Sequence, residues 1–266
     1  MLGLTPRRQQ TTVATALATL CVAGLANAAI IGDAVVIHAQ SGVNIDIYVI
    51  AQGLLTESPA ASGIFVYNSG GPVTLPNTGT VISALNLRYA PQTSGPFNDI
   101  GINYTFLTGA NTTTFTISSG EYFFGGSPAQ SARGNDSLNI TNGNSNFAAD
   151  AAVTYAGLHQ GGGGGFLTQV DGGFGAGPAY APLGTLFQVF GPVALTSASS
   201  TSGSDFVLLT PLGTTRTSMS SQWRFSLTGG DQIGAVSTFR TSMVIPAPGA
   251  AALLAFGGMV AIRRRR

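Results

Sequence analysis

Two histidines, one cysteine, ten carboxylates and the hydroxyl side chains are the stock from which this 266-residue chain can build acid–base, nucleophilic or thiolate chemistry. His38 sits in an apolar run and His159 beside a run of glycines. Neither belongs to His-Glu-x-x-His or another spaced ligand pair, so each reads as a solitary histidine and no metal or cofactor is expected. Gly125-Gly126-Ser127-Pro128-Ala129 has the outline of a nucleophile elbow. Pro128 rules it out, because the residue after such a nucleophile must donate its N–H to the oxyanion, and proline has none. A glycosidase needs two carboxylates at a set separation, and no acidic pair here falls in a motif. Asn135, Asp136, Asn139, Asn142, Asn144 and Asn146 form an oxygen-rich stretch with Gly143 for a turn, which would suit Ca²⁺. Only Asp136 is charged and the spacing is not that of an EF-hand, so Asx-rich turns between strands are the preferred reading. Asn-x-Ser/Thr sequons stand at Asn103, Asn111, Asn135 and Asn139. Tyr48, Tyr67, Tyr89, Tyr104 and Trp223 could stack on sugar rings. Trp223 alternates with Phe225 and Leu227, which makes it core first.

Composition narrows the setting. Charged residues are 8% of the chain, against roughly 25% in ordinary soluble domains, while 44% apolar residues suffice for a core. All eleven basic residues are arginine, and six of them lie at the ends: Arg7, Arg8 and Arg263 to Arg266. Five arginines then face ten carboxylates in the body, a net charge of −5. Nucleic-acid binding needs clustered Lys and Arg, and is excluded on this census.

The ends read as addresses. Arg7 and Arg8 precede an uncharged run from Thr11 to Leu25 and then Ala26-Asn27-Ala28. A positive region, an apolar region and a small-x-small site make a secretory signal, cut by signal peptidase after Ala28. The only cysteine, Cys21, lies inside the apolar run, so the mature chain would hold neither disulfide nor thiolate. At the far end Pro246-Ala247-Pro248-Gly249 opens an uncharged run to Ile262, closed by Arg263, Arg264, Arg265 and Arg266. As a helix, Gly249 to Ile262 reaches ~21 Å, and spans a ~30 Å hydrocarbon core only with its Pro-flanked entry and snorkelling arginine stems. Four arginines stay cytoplasmic, which puts the body outside.

This tail resembles the PEP-CTERM sorting signal of exopolysaccharide-producing bacteria, with Ala247 where the commonest form has Glu. The resemblance covers about the last two dozen residues. It implies transient residence in the inner membrane, cleavage by an exosortase-like enzyme near Pro246 to Gly249, and exopolysaccharide as a partner. A plain C-terminal membrane anchor is the alternative. Leu75-Pro76-Asn77-Thr78-Gly79 matches a sortase pentapeptide in letters only, since no apolar segment and basic stop follow it. It reads as a turn.

Between the addresses the chain reads as all-β. Short β-branched and aromatic runs are separated by Gly, Pro, Asn and Ser clusters, and no window shows a 3.6-residue apolar stripe. The runs are 35–39, 43–49, 63–67, 81–89, 102–107, 113–118, 152–158, 185–190, 206–209, 223–227 and 233–244. Val43 to Val49 alternates apolar with polar for several residues, the period of a half-buried strand. The expectation is a two-sheet β-sandwich, jelly-roll or lectin-like, over 29–244, preceded by a signal helix (1–28) and followed by a short transmembrane helix within the sorting signal (245–266). Eleven glycines between Gly157 and Gly184 read as a flexible surface loop. The function expected is that of an exported, non-enzymatic cell-surface or extracellular-matrix protein. A carbohydrate-binding module of lectin type is second, and a secreted glycoside hydrolase third.

Overall fold

The three-dimensional structure, a computed structural model, describes residues 29–60, 62–91, 97–123, 129–143, 153–157, 165–170, 193–195 and 200–242. Low charge, frequent β-branched residues and punctuation by glycine favour extended chain, and the described residues are all-β apart from one 3₁₀ turn, Gln52–Leu54. Among the described residues fifteen strands form two antiparallel sheets. The first contains β1 (Ala29–Ser41), β2 (Asn44–Ile50), β8 (Thr113–Phe123), β10 (Val153–Gly157), β11 (Phe166–Val170), β12 (Val193–Leu195) and β14 (Ser218–Leu227). Its order is β12-β10-β14-β8-β1-β2, with β11 also on β14. The second holds β3 (Thr56–Glu57), β4 (Phe65–Asn68), β5 (Val73–Thr74), β6 (Val81–Ala90), β7 (Asn98–Leu107), β9 (Ala129–Thr141), β13 (Ser200–Arg216) and β15 (Gln232–Ser242). Its order is β13-β9-β15-β7-β6-β4-β3, with β5 beside β6.

The sheets face each other across an aromatic core. Phe106 and Tyr104 of the second sheet meet Phe115 and Phe225 of the first, at centroid distances of 5.2 and 6.0 Å. Trp223 is fully buried, edge-on to Tyr104 at 5.7 Å, and its indole N–H donates to Ser237 Oγ at 2.9 Å. A buried indole needs such a partner, and here the partner lies on the opposite sheet. The alternation of Trp223, Phe225 and Leu227 on one inward face is as the sequence implies.

β8–β9 and β13–β14 change sheets together. Phe123 pairs with Ser218 in one sheet and Ala129 with Arg216 in the other, so the antiparallel pair turns one corner. Ala29, the first residue of β1, is also opposite Phe123, and Ser242, the last of β15, is opposite Ser131. The described domain therefore begins and ends at the same pole. At the other pole four turns stack closely, and a Cβ on Gly109 would lie 2.2 Å from the Thr78 carbonyl oxygen. Only glycine permits that approach.

Two expectations need correction. The Asx-rich stretch is not a turn up to Thr141: Asn135 to Thr141 belongs to β9, because Leu138 and Ile140 alternate inward and the amides outward. Within the glycine-rich stretch Phe166–Val170 is a strand on β14, with Phe166 buried against Trp223 at 5.0 Å. Val43, in the turn before β2, and Ile45, Ile47 and Val49 of β2 are exposed. The strand has the half-buried period, and its inner face carries Asp46, half-buried Tyr48 and Ile50.

The segments 1–28, with Ala26 and Ala28, and 245–266, with Pro246, Ala247, Pro248, Gly249 and Arg263 to Arg266, lie outside the described residues, as do run 185–190 and His159. Among the described residues no helix is long and apolar enough to cross a membrane.

Candidate functional site

The carboxylates have separate tasks. Asp46 accepts from the Thr78 amide (2.7 Å), the Thr78 hydroxyl (2.8 Å) and the Asn77 amide (3.2 Å), and so holds the turn at Leu75–Gly79. That turn is closed by Gly79 N–H to Leu75 O at 2.9 Å, with Gly79 at φ +70°, as its residues suggest. Burial alone would raise the Asp46 pKa, but the Thr78 and Asn77 donors outweigh it and hold the carboxyl below its ordinary value. Glu57 accepts from the Gly63 amide at 2.6 Å, Glu121 from the Ser218 hydroxyl, and Asp231 from the Thr228 hydroxyl. Asp136 points inward and is buried, whereas Asn135 and Asn139 on the same strand point out. The side-chain oxygens of Asn135 and Asn139 on one hand and of Asp136 on the other thus lie on opposite faces of the sheet, while Asn144 and Asn146 lie outside the described residues. Among the described residues no three His, Cys, Asp or Glu side chains gather as metal ligands.

His38 is half-buried in β1, between Ile47 and Thr116 on its neighbours. Ser127 and Pro128 lie outside the described residues. Of the candidate stacking aromatics, Tyr89, Tyr104 and Trp223 are buried in the core. Tyr48 and Tyr67 are half-buried with their hydroxyls 3.3 Å apart. That contact, with burial, pushes the Tyr67 phenol up to about 12. Burial also raises the Tyr89 and Tyr122 phenols.

The outer face of the second sheet carries the features sequence reasoning missed. Asn103 and Thr105 of β7, Ser137 and Asn139 of β9, and Ser202 and Ser204 of β13 line an open trough of about 610 Å³. Gly234 and Val236 of β15 form its floor. No Asp, Glu, His, Lys or Arg is among its lining residues. Two of the sequon asparagines, Asn103 and Asn139, are therefore exposed lining residues; Asn135 is exposed beside them and Asn111 is exposed in a turn.

Toward the pole where β15 ends, the same face becomes cationic. Asp99, Arg240 and Arg133 stand directly opposite one another across β7, β15 and β9. Asp99 is bound by Arg88 from β6 and by Arg240 Nε at 3.0 Å. Arg133 lies over the Phe97 ring at 4.3 Å, and Arg240 is 5.9 Å from the same ring. Like charges directly opposite repel, and here one carboxylate and one aromatic face offset three guanidinium groups. The signal in the sequence is the outward parity of Arg88, Arg133 and Arg240 on their strands, which means nothing until the registers are known.

No protein-family model and no curated protein matches this chain.

Proposed function

We propose that this chain is an exported, non-enzymatic cell-surface or extracellular-matrix protein. Signal peptidase removes 1–28 after Ala28; the tail 245–266 enters the inner membrane and is processed by an exosortase-like enzyme near Pro246 to Gly249. The observation that carries the reading is the pair of terminal signals of matching topology bracketing one sandwich, whose first and last strands leave from one pole. A precursor held at both ends by a membrane needs that arrangement. Body and tail then face opposite sides of the bilayer, with Arg263 to Arg266 as the cytoplasmic stop.

A lectin-like carbohydrate-binding module is the second reading. The trough favours it, because amides and hydroxyls on a broad uncharged face match the hydrogen-bonding groups of a sugar chain. Replacing Arg263 to Arg266 with serine tests the first reading: the tail loses its stop, and a chain cut after Ala28 but keeping its whole tail passes into the periplasm or medium. Unchanged mass and location would contradict it.

A further inference from the structure

We infer that the outer face of the second sheet binds an acidic polysaccharide, its carboxylates held by Arg88, Arg133 and Arg240 and its uncharged stretches by the neighbouring trough. Three of the five arginines of the body converge here although the body as a whole is negative. Asp99 neutralises one charge of the three. The Arg88 and Arg240 side chains remain 46% and 36% exposed, so their outer N–H groups are open to a ligand. Arg133 has an aromatic neighbour and no carboxylate partner among the described residues. Guanidinium groups oriented by a carboxylate and by a ring face are set for planar recognition of an oxyanion.

The ligand class follows from what adjoins the arginines. Ser137 is four residues from Arg133 on β9, roughly 14 Å along the strand, with exposed Asn135 between them and Thr238 opposite it on β15. A free anion would leave that surface unused, and a nucleic acid would meet too few cations there. A sugar polymer with spaced carboxylates uses both parts. The preference for a sugar polymer rests on the extracellular reading; the arginine cluster does not.

The test is binding of the full chain to partly methyl-esterified polygalacturonate, whose free carboxylates are spaced, and to neutral dextran, at low and at physiological salt. Polygalacturonate binds, more weakly as salt rises, and dextran does not. Arg133→Gln weakens binding roughly tenfold with an unchanged Tm, and Arg133→Lys recovers part of it. Ser137→Trp, which fills the trough, weakens the polymer and spares galacturonate monomer. Equal affinity for dextran, or polygalacturonate binding indifferent to Arg133→Gln, overturns the assignment. So does Arg133-dependent binding to phosphatidylglycerol vesicles without any to polygalacturonate. Cell fractionation tests export separately: an exported, processed chain that ignores polygalacturonate loses this ligand and keeps its location.

Discussion

Asp46 holds two parts of the molecule together with one charge. Its carboxylate joins edge strand β2 to the Leu75–Gly79 turn through three donors. Asp46→Asn turns one acceptor into a donor facing the Thr78 amide, at a cost of about 2 kcal/mol near neutral pH. The folded-state pKa lies below the unfolded value of about 3.9, so the wild-type advantage is present above that value and lost as pH falls through the folded pKa. Urea unfolding of both proteins between pH 3 and pH 7 should show the gap closing on the acid side. A gap independent of pH would contradict this role. Trp223 works differently, since its contribution is packing plus one cross-sheet hydrogen bond to Ser237. Ser237→Ala leaves the indole N–H buried without its acceptor and should cost about 1–3 kcal/mol in chemical denaturation, although almost no volume is lost.

Elements whose apolar pattern is strong are legible in the sequence. β6, β7, β14 and β15 alternate large side chains inward, and the runs 81–89, 102–107, 223–227 and 233–244 capture them. β9 is hidden because Gly134 and Asp136 occupy inward positions where the pattern asks for aliphatics. Local composition there says turn, and pairing on both sides with β13 and β15 says strand; the ladder wins. β2 shows the opposite failure, in which a regular alternation gives the period but not the face. Ile47 is 62% exposed, so Ile47→Thr should move stability by no more than about 0.5 kcal/mol, whereas Phe225→Ala in the core should cost about 3–5 kcal/mol. A paired set of thermal melts checks both. Among the turns, Gly109→Ala should cost about 1–3 kcal/mol, because the Thr78 carbonyl is backbone and cannot swing aside.

At the scale of the whole molecule the charge census and the charge placement say different things. A body of net charge −5 is a poor partner for a polyanion, yet three of its five arginines are gathered on one face near the pole where β15 ends. The census is available from the sequence; the gathering depends on three registers between four strands and is not. The destination of the chain rests on its ends, whose signals are compositional and therefore readable without a fold. The direct check is the intact mass of the protein recovered from native membrane, cell-surface and medium fractions. The account predicts a surface or medium species lacking 1–28 and the residues beyond the Pro246-Ala247-Pro248 region. A species found only in membranes and still carrying Arg263 to Arg266 would contradict it, and would make the tail a permanent anchor.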